Sequence, residues 1–327
     1  MKARYFLVLC LGLFEADLFG HDQIVHQEIT ANAEASAFTH SSAYSNFLNT
    51  VSSDRSRLPQ PGAKGLVQSM VDGSFDEDYA DQLGDVGGKR SYNHFYDPLD
   101  TTYGKGLSDI PPDIRDLVGL NSLTWGSTSN CVGFNFNGIF GLGQNINTTN
   151  IYSWPNARYY EWLGLTATNQ LQRQTNLDNM FRAVGQVMHL LEDTTQPQHV
   201  RNEQHVFSST NSWVRTFDPW ISPVEEYGSA HWQTLNYGDG SMLNWTNAGF
   251  TKLEDFWDRH LYAPGSATVL QSAETGGAQL GLAEWCNGNF LGDRHLFPEY
   301  YSTGDIAYYP YPSRDHSTDC KNKKMKG

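Results

Sequence analysis

The sequence predicts a mainly α fold: a single multi-helix domain with long polar loops. Apolar residues recur at helical spacing in several separate stretches, no stretch alternates apolar and polar residues over the length of a strand, and no internal repeat is present. In chain order, Lys2 and Arg4 precede an apolar run, Tyr5–Phe14, with cleavage plausible after Ala16 or Gly20. That pattern reads as a secretory signal, and its apolar run is too short to span a bilayer. It predicts a secreted or periplasmic product of residues 21–327. His26–Phe38 is Ala-rich with Ile29 and Ala33 on one face, a first helix. Gly62–Gly73 is a second, short one, and the Gly, Asp and Pro content of Gly84–Pro112 signals loops. Ser127–Thr149 is rich in Gly, Asn and Ser and reads as a surface excursion or a short hairpin. Trp154–Ala167 carries proline at its start, as helices tolerate. Leu177–Glu192 is the longest periodic stretch, with Met180, Val184, Val187 and Leu191 on its apolar side. Phe250–Arg259 and Ala278–Phe290 close the helical set. Tyr300–Gly327 reads as a Tyr/Pro-rich, then Lys-rich, extended tail.

Composition narrows the partners. The chain has 327 residues, a formal net charge of −14 and only 18% charged residues, so it lacks the clustered Lys and Arg of a broad nucleic-acid grip. Divalent ions would offset part of that negative charge locally and leave room for a small anionic substrate. With the signal removed (it contains Cys10), Cys131, Cys286 and Cys320 remain, enough for one disulfide and one spare thiol. None has a metal-finger spacing, so any metal rests on histidines and carboxylates.

The stretch FRAVGQVMHLLEDTTQPQHVRNEQH, residues 181–205, supplies such donors. His189 and Asp193 are four apart in a helical pattern and project from one face. Pro197 breaks the helix, and His199 and His205 follow. An imidazole and a carboxylate one turn apart can grip one divalent ion, and the second carboxylate oxygen can bridge to another. Three more clusters join them: His21 and His26, the acidic run Asp76-Glu77-Asp78 with Asn93-His94-Phe95-Tyr96-Asp97-Pro98, and Glu225-Glu226-Tyr227.

Taken together, HQEIT, an acidic residue ahead of NHFYDP, GQVMHLLEDTTQPQHVRN and a downstream Glu-Tyr element resemble the zinc-dependent phospholipase C / P1 nuclease superfamily, over roughly His26 to Phe290. The resemblance implies a helical fold of that type holding three zinc ions in one cleft. It implies His94, His189, Asp193 and Asp78 as ligands of the first ion, and His199, His205 and Glu225 as ligands of the second. His26 would serve the third, bridged by Asp193 and completed by the mature N-terminus, where His21 would add an amine, a carbonyl and an imidazole if cleavage follows Gly20. Asp78 would also orient or deprotonate the attacking water, with Asp76, Asp81 and Asp85 as competitors in the same loop. Tyr79 is the candidate to stack on a choline-like cation. Asn93 and Asp97 either orient ligands or make the turn.

Two departures stand out. The family's H-x3-E element is missing, because Ile221 lies four before Glu225. His205 then stands in across the inserted residues Val206–Ser222, with Glu226 an alternative and His231 a third choice that more readily reads as surface. The family's familiar members begin with Trp, whereas this chain would begin with Asp17 or His21, so two ions without the third is a live outcome. His40, His260, His295 and His316 have no partners in sequence and read as structural or solvent-facing. The expected function is a secreted zinc phosphodiesterase of phospholipase C type, monomeric, acting on phospholipid with transient contact at a membrane surface. A P1-type single-strand nuclease and an exported zinc-binding protein without catalysis are the alternatives.

Overall fold

The structure, a computed structural model, describes residues 23–51, 65–78, 90, 93–98, 119–133, 148–201, 223–235, 250–261 and 280–289. Its helices are α1 (Gln23–His40), α2 (Ser42–Val51), α3 (Leu66–Asp76), α4 (Ser122–Ser127), α5 (Trp154–Thr166), α6 (Gln170–Asp193), α7 (Pro223–His231) and α8 (Leu282–Asn289). Short 3-10 turns lie at His199–Arg201 and Leu253–Phe256. The mainly α expectation holds for the described residues. The ends of the Gly/Asn/Ser-rich stretch pair as a small antiparallel ribbon of β1 (Cys131–Gly133) and β2 (Thr148–Asn150), with Val132 opposite Thr149. Among the described residues no helix is long and apolar enough to cross a membrane.

The central element is α6, which packs against α3, α5, α1 and α4. It begins seven residues before the predicted Leu177, because Asn169 caps it by accepting from the Gln172 amide at 3.1 Å. The polar run that follows has helix propensity but no apolar period to betray it. Leu177 and Phe181 enter one core with Leu48, Leu66 and Met70. One to two turns on, Val187 and Leu190 enter a second with Trp125, Trp257 and Cys286. The predicted apolar stripe is thus only part of what α6 buries, since Gln186, His189, Glu192 and Asp193 are also buried. A helix that buries both apolar and polar sides is enclosed by other elements rather than laid on a surface.

Two glycines let α3 and α6 meet backbone to backbone. A Cβ at Gly185 would stand 1.9 Å from the Met70 carbonyl oxygen, and one at Gly73 would stand 2.2 Å from that of Arg182. Only a residue without a side chain fits there. Near α3, Arg182 pairs with Asp76 at 2.7 Å and lies over the Tyr152 ring.

Phe250–Arg259 departs from its predicted helix and forms only the 3-10 turn. Asp255 accepts the amides of Thr251 (2.6 Å) and Lys252 (3.1 Å), while Asp258 accepts the His260 amide at 2.6 Å. Asp255 thereby caps the turn at Lys252, so it starts there rather than at Phe250, while the Asp258 bond and a left-handed φ of 56° at His260 close it early. The other predicted helices differ from α1, α3, α5 and α8 by a few residues at their ends.

Candidate metal centre

Four separate segments carry the donors inward. α1 brings His26, the turn after α3 brings Glu77 and Asp78, the extended segment 93–98 brings His94, and the end of α6 with the following turn brings His189, Glu192, Asp193 and His199. All are buried, most of them completely. The 93–98 segment is pinned by its backbone: the Tyr96 amide donates to the His199 carbonyl at 2.9 Å, and the Phe95 carbonyl accepts from Ser122 at 3.0 Å. Asn93 makes the turn, donating to the Arg90 carbonyl at 3.1 Å and accepting from the Leu120 amide at 2.8 Å. The Phe95 ring lies parallel to that of His199, 4.6 Å between centroids, which fixes the imidazole plane.

The nitrogens and carboxylates converge. His94 Nδ1 is 3.0 Å from Asp193 Oδ2, 3.3 Å from Asp78 Oδ1 and 3.3 Å from His189 Nε2. His189 Nε2 is in turn 3.3 Å from Asp193 Oδ2 and 3.5 Å from Asp78 Oδ1. His26 stacks on His189, centroids 3.7 Å apart, and turns its Nε2 toward Asp193 Oδ1 at 3.4 Å. His199 Nδ1 is 3.3 Å from the His94 carbonyl and 3.7 Å from Asp193 Oδ2.

Behind two of these rings stands a hydrogen-bonded proton acceptor, and near the third a carboxylate beyond hydrogen-bonding distance. His189 Nδ1 donates to the Ser74 carbonyl at 2.6 Å, and His26 Nδ1 meets Glu192 Oε2 at 2.6 Å. His94 Nε2 faces Glu77 Oε1 at 3.6 Å. An acceptor behind the ring keeps the proton on that nitrogen and aims the other lone pair forward, which is how metal-binding histidines are held. Glu77 is itself anchored by Trp125 Nε1 at 2.7 Å and by the Arg90 guanidinium at 2.5 Å, with Arg90 over the Trp125 ring.

The electrostatics follow from this crowding. Burial works to lower the His189 pKa, but Asp78 and Asp193 outweigh it and hold it well above the ordinary imidazole range. His26 and His94 are raised too, against burial, by Asp193 with Glu192 and with Glu77 respectively. Asp193 is depressed well below the usual carboxylate range, burial notwithstanding, chiefly by His199 and His189. Burial pushes Glu77 up, yet Arg90 and His94 bring it down to about 2.

Among the described residues, two donor groups could hold an ion: His26, Asp78 and His189, and His94, His189 and Asp193. Neither oxygen of Asp78 or Asp193 has a hydrogen-bond donor among the described residues, although all four are buried. Buried carboxylate oxygens facing only imidazoles are costly unless a cation or protons balance them. The set is all nitrogen and oxygen, which suits zinc and similar divalent ions. His189 has one lone pair to give, since its Nδ1 is spent on Ser74, so it can serve one ion only. Asp193 differs: Oδ1 faces His26, while Oδ2 faces His94 and His189.

Of the residues named from sequence, His26, Asp78, His94, His189, Asp193 and His199 therefore come together. In the acidic run Asp78 faces the histidines while Asp76 turns away to Arg182. Glu225 is buried on α7, which lies along α1 with Gly228 facing Val25, the neighbour of His26. His21, Tyr79, His205, Asp81 and Asp85 lie outside the described residues. His231 is exposed and bonded to the Tyr227 carbonyl of its own helix. His260 does have a partner, Asp258 at 3.1 Å, although its side chain is solvent-facing. Sequence reasoning named Glu77 only as a member of the acidic run, with no role of its own, and passed over Glu192, Ser74, Thr30, Arg90 and Trp125. Glu77 and Glu192 each immediately precede a named aspartate, and that adjacency was the available signal.

Compared with protein-family models, with curated proteins and with solved structures, the chain matches none.

Proposed function

We propose that this chain is a zinc-dependent phosphoric diester hydrolase of phospholipase C type. The observation that carries the reading is the convergence of His26, His94 and His189 on the hydrogen-bond-free oxygens of Asp78 and Asp193. The sequence resemblance to the phospholipase C / P1 nuclease superfamily supports it. His94, His189, Asp78 and Asp193 Oδ2 would hold one ion, with His26 and Asp193 Oδ1 reaching a second. His199, His205 and Glu225 are the donors proposed to complete the set, with His21 if the chain is cleaved after Gly20.

Zinc bound there supplies Lewis acidity toward a phosphoryl oxygen and lowers the pKa of a water toward about 7. The chain's own groups do the rest. Asp78 Oδ2 is buried without a hydrogen-bond donor, so it can orient a water or take its proton. Asp193 keeps two ligand sets in register with its two oxygens. Glu77 and Arg90 neutralise each other, leaving the aspartates to set the local negative field. A net charge of −14 disfavours a long polyanion track and favours a compact head group, for which Tyr79 is the proposed stacking residue. The proposed setting is an exported monomer that meets lipid surfaces transiently.

Phosphatidylcholine vesicles and single-stranded DNA, each supplied to chelated and to zinc-loaded protein, test the reading. Zinc-dependent release of phosphorylcholine is expected. Cleavage of DNA alone would move the chain to the nuclease branch. One observation favours a different class: His94, His189 and Asp193 have no solvent exposure at all. An exported protein that holds zinc for stability would bind the metal and hydrolyse neither substrate.

A further inference from the structure

We propose that Glu192 and Thr30 are positioning residues that set the ring flip and tautomer of His26, so that its Nε2 lone pair faces the metal; the proposal rests on the metal-centre reading and adds two residues to it. Glu192 directly precedes Asp193 at the end of α6, yet its carboxylate points at α1 rather than into the donor cluster. One oxygen lies 2.6 Å from His26 Nδ1, and the other accepts the Thr30 hydroxyl at 2.9 Å. Thr30 sits one turn beyond His26 on the same face of α1. Both oxygens of Glu192 are thus engaged by α1, and the residue is unsuited to be a ligand itself.

The consequence for His26 is chemical. An ionised carboxylate only accepts, so the proton between them belongs to Nδ1. The lone pair then falls on Nε2, the atom facing Asp193 Oδ1 at 3.4 Å. Stacking on His189, with 22° between the planes, fixes the ring plane but not its flip about the Cβ–Cγ bond. A half-turn would exchange Nε2 for a carbon and remove the donor. The Glu192 contact is what selects one of the two flips. The other two rings are backed differently, by the Ser74 carbonyl and by a Glu77 that also neutralises a buried arginine. Glu192 is therefore where orientation can be perturbed without deleting a ligand or orphaning Arg90.

The test uses the full chain, zinc-loaded and labelled with nitrogen-15 at histidine. Long-range proton–nitrogen spectra should show His26 protonated at Nδ1 and coordinated through Nε2. In chelator competition, Glu192→Ala should weaken one zinc equivalent by about 10–100-fold and leave the remainder unchanged. Glu192→Gln should recover most of that loss, because its amide oxygen can still accept from Nδ1 and its NH2 can turn to the Thr30 hydroxyl. Thr30→Val should fall between them. Should Glu192→Ala not fold, the Gln and Val variants decide. A proton on Nε2 of wild-type His26 overturns the proposal, as does a uniform loss of every equivalent or no loss in any variant. Wild-type protein that takes up no zinc overturns the metal-centre reading along with it.

Discussion

Gly185→Ala should disable the metal centre without touching a ligand. The added Cβ would lie 1.9 Å from the Met70 carbonyl oxygen, 2.8 Å from its carbon and 3.0 Å from the Ser74 amide nitrogen, whereas ordinary contact begins at 3.4 Å. The obstacle is backbone on both sides, so no rotamer relieves it, and α3 and α6 must part by about 1.5 Å. Ser74 lies on the face of α3 that moves, and its carbonyl holds His189 Nδ1 at 2.6 Å, one turn beyond Gly185. The same shift carries that bond beyond hydrogen-bonding range. Overpacking at the upper end of its usual ~1–3 kcal/mol, plus ~1–3 kcal/mol for the orphaned pair, less ~1 kcal/mol of helix propensity gained, leaves roughly 3–5 kcal/mol of destabilisation. Urea unfolding of chelated protein measures the stability, and zinc competition measures the site. Gly228→Ala is the control, since its Cβ would meet Val25 at an ordinary 3.5 Å. Gly185→Ala with wild-type stability and zinc affinity would refute the idea that this helix contact sets the site.

Three further outcomes are expected. Because the folded pKa values of His26, His94 and His189 are raised, metal-free protein should be stabilised below the ordinary imidazole pKa and lose that stability as pH rises through the folded values. Zinc competes with those same protons, so zinc-loaded protein should gain stability over the same rise; melting temperatures followed upward from the ordinary imidazole pKa of about 6.5 and sloping alike in both forms would contradict this. Asp193→Ala should remove more than one zinc equivalent by elemental analysis and His94→Ala about one, and equal losses would count against the two-sided role of Asp193. Asp78→Asn should lower turnover at least about a hundredfold, while Asp76→Asn, which weakens the pair with Arg182, should act mainly on thermal stability; the reverse pattern would reassign the water-orienting carboxylate.

The helical class and the local half of the candidate site were legible in the sequence. His189 and Asp193 declare themselves by i, i+4 spacing, and HQEIT, the acidic run and NHFYDP each mark a donor segment. The supports behind the donors were illegible for two physical reasons. A backbone carbonyl such as that of Ser74 leaves no trace in residue identity. The Glu192–His26 bond joins residues 166 apart, a distance no local period encodes. Element ends failed similarly, since the start of α6 rests on one asparagine cap, and the predicted helix at 250–259 shrinks to a turn that Asp255 starts at Lys252 and Asp258 with His260 ends.

The way the donors are distributed along the chain also bears on how the protein is held shut. Both cysteines among the described residues, Cys131 and Cys286, are free and buried, and burial pushes the Cys286 thiol up to about 12, which leaves it a poor partner for oxidation. An ion shared by His94 and His189, or by His26 and Asp193, would instead clip together points 95 and 167 residues apart. Closing loops of that length covalently is worth about 4–5 kcal/mol in chain-entropy terms. Such a clip opens and closes with the supply of metal rather than with the redox state of the surroundings. It can also form only after both distant segments have already met, so the ion would enter as the last fastening of a nearly folded chain.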